Sequence, residues 1–480
     1  MLDVTSRAGI QRKKRGRQLA AIAFVGFMAL LLTIGVAFRP DQAIRVATGL
    51  TSHTLCSAAF VSGLQPDEIY AETIRPTPGL RQLDWALRYT VDTVSKKVTT
   101  TWMGGFESQA IYRDGLGCLL IRGQPPATEV VSTGPGDDAR TLGTRAPDIA
   151  GPEIVEPADK ALREALDRAF AERSAPPYRR TKAIVVVRDG RVIGERYAAG
   201  YGVDTPLLGW SMTKSVMNAL VGILVRDGRI VVNAPAPVPE WADPADPRHA
   251  ITVDQLMRMT TGLALDERDT GFDPATHMLF LESDMATFAQ RARLNAPPGS
   301  TWAYTSGNTL ILSRIIRDAV GGGAVDVLRF ARKELFEPLG LRSVVVEFDA
   351  AQTPVGSTYM FATARDWARF GMLYLQDGVI DGERILPEGW VRYSTTPTVR
   401  RGYGAGWWTN RESGGTPMNR DRLGLPGDAF WASGALGQRL IVIPSERLVI
   451  VRFGVTHEKA HVDIAGVARL VTEVVEALHG

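Results

Sequence analysis

The sequence predicts an α+β fold in which one antiparallel sheet, flanked by terminal helices, carries an inserted, mostly helical subdomain. Two observations lead to this prediction: strand hairpins are predicted near both ends of residues 156–480, and helices and proline-rich loops fill the chain between them. A third observation concerns residues 1–155. There, an apolar run predicts a transmembrane helix, and a separate segment with its own apolar content predicts a small accessory unit.

An uncharged, mostly apolar run, residues 19–38, follows a basic tail, residues 1–18. A helix of this length spans about 30 Å, the thickness of a bilayer core. The basic cluster predicts that the tail stays in the cytoplasm and that the rest of the chain is exported. We therefore expect a protein anchored in the inner membrane with its folded part on the periplasmic side. A cleaved signal peptide is the alternative, since Gly35 and Ala37 suit a cleavage site.

The two cysteines of the chain, Cys56 and Cys118, both lie in a small accessory unit predicted for residues 39–122. In an exported protein the simplest prediction is a disulfide between them, and two buried thiols are the alternative. A helix-like stretch at 43–64 and strand-like segments near 98–102 and 118–121 give this unit its own apolar content. Residues 123–155 are rich in proline, glycine, threonine and aspartate, which predicts a linker.

Residues 156–480 carry the pattern on which the sheet prediction rests. A helix is predicted at 157–173, followed by strands at 183–187 and 191–197 around the hairpin signal Asp189-Gly190. A second hairpin, 440–443 with 448–453, precedes a helix from about 461 to 478. Together these elements predict one sheet closed by both ends of the domain.

The strongest chemical signal is the tetrapeptide Ser211-Met212-Thr213-Lys214. A serine in the first turn of a helix lies at the positive end of the helix dipole, which favours an alkoxide-like nucleophile. Residue i+3 lies on the same face, and burial lowers the pKa of a lysine, so Lys214 is a candidate base for Ser211. A capping serine followed by a solvated lysine is the alternative.

Two further segments extend this candidate site. Tyr304 lies in a turn just before an apolar helix, where its phenol can act as an acid/base partner; an ordinary packed tyrosine is the alternative. The segment 430–438 carries Gly434 and Gly437, and a glycine-bearing edge strand lets a substrate approach the backbone. Its N–H groups can complete an oxyanion hole with the N–H of Ser211, unless these glycines only form turns.

Three motifs occur in the order found in β-lactamases and penicillin-binding proteins. They are Ser-x-x-Lys, then Tyr304-Thr305-Ser306, then Ala432-Ser433-Gly434. Residues 156–479 resemble this family of serine hydrolases, in particular its class C-like group with carboxylesterases, D-amino-acid peptidases and 6-aminohexanoate-dimer hydrolases. The resemblance implies a β-lactamase/transpeptidase-like fold. It also implies roles for individual residues. Ser211 is acylated, and Lys214 and Tyr304 share the base and acid roles. The N–H groups of Ser211 and Ala435 form the oxyanion hole, and the residues that bind substrate are Ser306, Ser433 and Gly434.

Two departures from the family pattern bear on the substrate. Ser306 replaces a common asparagine, and Ala432 stands where many members have a lysine or histidine that binds the substrate carboxylate; Arg439 is a candidate replacement for that cation. The resemblance therefore implies an amidase or esterase, rather than a β-lactamase, that acts on a small-molecule or short peptide-like substrate. The alternative is a non-catalytic module that binds cell-wall peptide or an envelope partner.

Other classes of protein find no support in the sequence. None of the six histidines lies in a motif for a Ser-His-Asp triad or a zinc site. The sequence has no phosphate-binding loop, no dinucleotide fingerprint and no basic patch interleaved with aromatic residues. We therefore expect no cofactor, no metal and no nucleic-acid partner.

Overall fold

The computed structural model describes Leu19 and residues 22–24, 39–123, 148–268, 270–399, 402–410, 425–457 and 463–480. The basic tail, almost all of the predicted anchor at 19–38 and most of the predicted linker at 123–155 lie outside these described residues. Within the described part, no helix is both long enough and apolar enough to cross a membrane.

A six-stranded antiparallel sheet joins the two ends of the C-terminal domain. Its strands, in spatial order, are Trp408–Thr409, Phe430–Gly434, Gln438–Ile443, Leu448–Gly454, Thr181–Arg188 and Arg191–Tyr197. Val451 pairs with Val185, so the two predicted hairpins meet in one sheet and the prediction is confirmed. Both faces are covered, which explains the unbroken apolar runs of these strands. The helices Lys160–Phe170 and Ile464–His479 pack on one face, and Ala364–Leu375 packs on the other.

The chain between the two parts of the sheet is mostly helical. Its further helices are Thr213–Arg226, Val253–Met257, Pro274–Leu281, Met285–Gln290, Ser306–Val320, Ala324–Ala331 and Trp390–Thr395. Short strands pair Leu207–Leu208 and Val345–Val346 with Met360–Ala362, and Val379–Ile380 with Glu383–Arg384.

The Thr213–Arg226 helix is buried along most of its length. The buried Asn218 Oδ1 accepts hydrogen bonds from Tyr374 Oη at 2.6 Å, Trp390 Nε1 at 3.1 Å and Ser394 Oγ at 3.2 Å. A satisfied buried polar network of this kind holds a helix in one position. The helix is therefore a rigid support for the side chains at its N-terminal end.

The described residues 40–121 form the accessory unit. The helix Pro40–Phe60 packs against a four-stranded antiparallel sheet, and Cys56 and Cys118 form a disulfide with their Cα atoms 6.1 Å apart. The strands are Leu87–Asp92, Lys97–Trp102, Gly105–Arg113 and Gly117–Ile121, and two short helices, Pro66–Ile69 and Leu80–Leu83, complete the unit. The sequence indicated only the second and fourth of these strands, and of the four only Gly117–Ile121 is buried along most of its length.

Glu347 of the helical subdomain connects this unit to the C-terminal domain. Its fully buried carboxylate accepts hydrogen bonds from Ser57 Oγ and from the Cys118 backbone N–H, both at 2.8 Å, and lies 3.0 Å from His53 Nε2. The His53 ring also stacks on Tyr359, with ring centroids 4.1 Å apart. All three partners of the carboxylate come from the accessory unit, so Glu347 orients one unit on the other.

Replacing Glu347 by alanine is expected to lower the free energy of unfolding by about 3–5 kcal/mol, because its partners remain buried without their acceptor. Urea denaturation followed by tryptophan fluorescence measures this change. The matched control is Glu388→Ala at an exposed glutamate of the same domain, for which we expect a change within about 0.5 kcal/mol. An unaltered urea midpoint for Glu347→Ala would mean that the carboxylate does not hold the two units together.

Candidate active site

Ser211 lies in a 3₁₀ turn that runs directly into the α-helix, at the helix N-terminus where the sequence predicted it. Trp210–Met212 form a 3₁₀ turn, and the α-helix begins at Thr213. Trp210 has φ of +49°, a left-handed conformation that costs a residue with a Cβ about 1–2 kcal/mol. The turn also passes close to Trp367, because a Cβ on Gly209 would lie 2.3 Å from an indole carbon. This packed and strained turn presents the half-buried Ser211 side chain at the end of the helix.

Lys214 lies one turn further along and points back at Ser211. Its Nζ atom is 2.9 Å from Ser211 Oγ, 3.2 Å from Ser306 Oγ and 3.0 Å from the carbonyl oxygen of Ser357. The residue is only 3% exposed. The structure therefore brings together Ser211, Lys214 and Ser306, which the sequence had proposed from two separate motifs.

Tyr304 adjoins this group through its ring. Lys214 Nζ lies 4.9 Å from the ring centroid, within the range of a cation–π contact. The ring stacks on Trp408 at 5.8 Å and meets Tyr403 edge-on at 6.0 Å. Burial, with Tyr304 and Glu267 nearby, raises the pKa of the Tyr403 phenol well above its ordinary value. An aromatic wall thus fixes Tyr304 beside the lysine.

The end of the Phe430–Gly434 strand passes directly over the Trp210–Met212 turn that carries Ser211. A Cβ on Gly434 would lie 2.3 Å from the carbonyl oxygen of Gly209 and 3.2 Å from Trp210 Cβ, so only glycine fits there. The chain turns at Ala435, and Ala435 and Ser211 line the same cavity. The two backbone N–H groups proposed for the oxyanion hole therefore belong to segments in direct contact.

Like Tyr304 and Gly434, Ser433 and Arg439 are not among the described residues that line this cavity. Ser433 and Arg439 pair with each other across the sheet. The buried guanidinium of Arg439 donates to the carbonyl oxygens of Gly434 at 3.2 Å and Gln438 at 2.6 Å. Arg439 therefore does not place a cation in the described cavity wall to replace the lysine or histidine that many family members have in place of Ala432.

Sequence reasoning missed Glu267. Its carboxylate accepts the backbone N–H of Ser306 and lines the cavity beside Ser211. The residue lies in a segment without regular secondary structure, so neither periodicity nor a motif marked it. A contact between a loop and the first residue of a helix distant in sequence can be found only from the folded chain.

A cavity of about 520 Å³ opens at Ser211, within the ~300–1,000 Å³ usual for small-molecule sites. Trp210, Ser306 and Ala435 line its inner end, and residues of the accessory unit line the rest together with the segment 270–280. Sequence reasoning did not anticipate this contribution, because it left the contacts of residues 39–122 undetermined.

Comparisons with known proteins agree with this architecture. A family profile described as Beta-lactamase matches residues 166–470. The 6-aminohexanoate-dimer hydrolase of Paenarthrobacter ureafaciens is 26% identical over 284 residues, which cover 52% of this chain and 69% of that protein. A penicillin-binding protein homologue from Caulobacter crescentus has a TM-score of 0.54 at 20% identity, covering 69% of this chain and 100% of its own. A protein assigned as a 6-aminohexanoate-dimer hydrolase from Bacillus anthracis has a TM-score of 0.53 at 24% identity, covering 63% of this chain and 80% of its own. At these identities, the two solved structures show the shared fold alone.

Proposed function

Because the chain belongs to the Beta-lactamase family, we propose that it is a serine hydrolase that cleaves ester or amide bonds through an acyl-Ser211 intermediate. The observation that carries the proposal is the 2.9 Å hydrogen bond between Lys214 Nζ and Ser211 Oγ. A nucleophile within hydrogen-bond reach of a buried base is the arrangement that covalent catalysis requires. The partner of Ser211 is a lysine, so the proposed chemistry needs no histidine.

In the proposed reaction, Ser211 Oγ attacks the carbonyl carbon of the substrate and its proton passes to the neutral amine of Lys214. The negative charge on the carbonyl oxygen is stabilised by the backbone N–H groups of Ser211 and Ala435. When the intermediate collapses, the proton moves through Lys214 and Tyr304 to the leaving alcohol or amine. Water then attacks the acyl-enzyme, and the reverse proton transfer releases the acid and restores Ser211.

Reaction with a fluorophosphonate probe tests this proposal. We expect intact-mass measurements to show one added phosphonyl group per chain, and peptide mapping to place it on Ser211. The protein should also release p-nitrophenol from short-chain p-nitrophenyl esters. Absence of both labelling and turnover would contradict the hydrolase proposal and favour a non-catalytic binding module; a label on a different serine would remove Ser211 from the mechanism.

Tyr304→Phe is expected to lower kcat by roughly 10²- to 10⁴-fold, the usual contribution of a positioned acid/base group. Phenylalanine keeps the ring that stacks on Trp408 and removes only the hydroxyl, so the thermal unfolding midpoint should change little. Steady-state kinetics with p-nitrophenyl esters provide the measurement. Tyr178→Phe is the matched control, because the Tyr178 ring contacts Arg180, whereas the Tyr304 ring contacts Lys214. If both variants kept full turnover, Tyr304 would have no part in proton transfer.

A further inference from the structure

The accessory unit forms one side of the cavity that opens at Ser211. Its helix Pro40–Phe60 contributes Ala43, Ala47 and Leu50 to the lining. Ile74 and Leu83, from the following segment of the same unit, and Leu279, from the helical subdomain, also line the cavity. The cavity is thus bounded by two folded units and is lined mainly by apolar side chains.

The charges in the lining exclude one class of substrate. Glu267 is the single charged side chain among the described residues that line the cavity, which include no lysine, arginine or histidine. A carboxylate on the substrate would find no cationic side chain in this lining and would meet the negative charge of Glu267. The guanidinium of Arg439 is held by strand carbonyl groups and lies outside this lining. The cavity therefore suits an uncharged, apolar group.

The order of events in acyl transfer indicates which part of the substrate the cavity holds. The leaving group must depart, and a water molecule must reach the acyl-enzyme, before the second half of the reaction. The acyl group stays attached to Ser211 throughout. A cavity lined mainly by apolar side chains can hold the acyl group while the leaving group departs and water enters.

We propose that this cavity binds the apolar acyl chain of a medium-length ester, and that the accessory unit is thereby part of the substrate-binding site. This inference rests on the acyl-Ser211 mechanism proposed above and names its substrate class. The scissile carbonyl lies between Ser211 and Ala435, and the chain extends from there along the lining that Ala47 and Leu50 contribute. Acylation joins the chain to Ser211 Oγ with loss of the alcohol, and hydrolysis releases it as the free acid.

The chain-length profile of p-nitrophenyl esters tests the proposal. Each methylene transferred from water into an apolar site raises kcat/KM by about fourfold. From butyrate to octanoate we therefore expect a rise on the order of 10²-fold, measured below the concentration at which the esters aggregate. Acetate esters of ethanol to octanol form the second arm of the experiment. They should show no comparable rise, because their alkyl chain is in the leaving group.

Substitutions on the accessory helix locate the binding site. Ala47→Leu places extra carbon atoms in the cavity and should lower the octanoate-to-acetate ratio of kcat/KM by about tenfold. Ala43→Leu is the second variant, used if Ala47→Leu does not fold. The matched control is Ala59→Leu, on the same helix and outside the cavity lining, which should leave the ratio unchanged.

The outcomes separate this inference from the proposed function. A flat acyl-length profile in a protein that is still labelled at Ser211 would overturn the acyl-chain assignment and leave the hydrolase intact. A rise with alcohol length alone would also overturn it, because the cavity would then hold the leaving group. An equal change in the ratio for Ala47→Leu and Ala59→Leu would remove the accessory unit from substrate binding. Failure of labelling and of turnover on every ester would contradict the proposed function itself.

Discussion

Ser211→Ala and Lys214→Met are each expected to lower kcat for p-nitrophenyl esters by roughly 10⁴- to 10⁶-fold. The double variant is expected to have a kcat no lower than that of the less active single variant. The reason is the 2.9 Å contact between Lys214 Nζ and Ser211 Oγ. A base without its nucleophile has nothing to activate, and a serine without its base stays a poorly reactive alcohol. The two residues therefore act as one unit, and their losses do not add.

Steady-state kinetics on the purified variants give these values, and circular dichroism shows whether the fold persists. The matched controls are Ser300→Ala, at an exposed serine, and Lys160→Met, at a lysine whose side chain is 86% exposed. Both should keep the turnover of the unsubstituted protein. Losses that multiply in the double variant would show that Ser211 and Lys214 contribute independently and would contradict the base role of Lys214.

Gly434→Ala is expected to lower kcat by about 10²- to 10³-fold, the loss seen when one oxyanion-hole donor is removed. The added Cβ would lie 2.3 Å from the carbonyl oxygen of Gly209, so the strand must move away from the turn that carries Ser211. That movement displaces the backbone N–H of Ala435, which follows directly in the chain. The expected effect is mainly on kcat, because the lost interaction forms with the charged intermediate.

The control for this substitution lies in the turn that precedes the same strand. A Cβ on Gly427 would meet no atom within 4 Å, so Gly427→Ala should leave kcat unchanged. The rate of fluorophosphonate labelling provides a second measurement that does not depend on the choice of substrate. If Gly434→Ala reacted as fast as Gly427→Ala, the strand would not position an oxyanion donor.

The sequence predicted the sheet and the central pair of the site because both depend on short-range patterns. The hairpin at Asp189-Gly190 marks two strands directly, and the separation of Ser211 from Lys214 by three residues places both side chains on one face. The disulfide between Cys56 and Cys118 likewise follows from cysteine count and the expected compartment.

The parts that escaped prediction depend on contacts between distant segments. The left-handed turn at Trp210 is stabilised by packing of Gly209 against Trp367, which no local propensity encodes. The approach of Glu267 to Ser306, at the start of the Ser306–Val320 helix, is also a contact between segments distant in sequence. The apolar lining of the cavity from Ala47 and Leu50 looks, in sequence, like the buried face of any helix.

The buried carboxylate of Glu347 has a consequence for the order in which the protein matures. It receives the backbone N–H of Cys118 from 229 residues earlier in the chain and the hydroxyl of Ser57 from 290 residues earlier. The accessory unit is synthesised first, so these donors have no acceptor until the helical subdomain has been made and folded. Closing contacts over such distances is slow, because much chain must be ordered before they form. We therefore expect the cavity wall to form late, after the helical subdomain has folded.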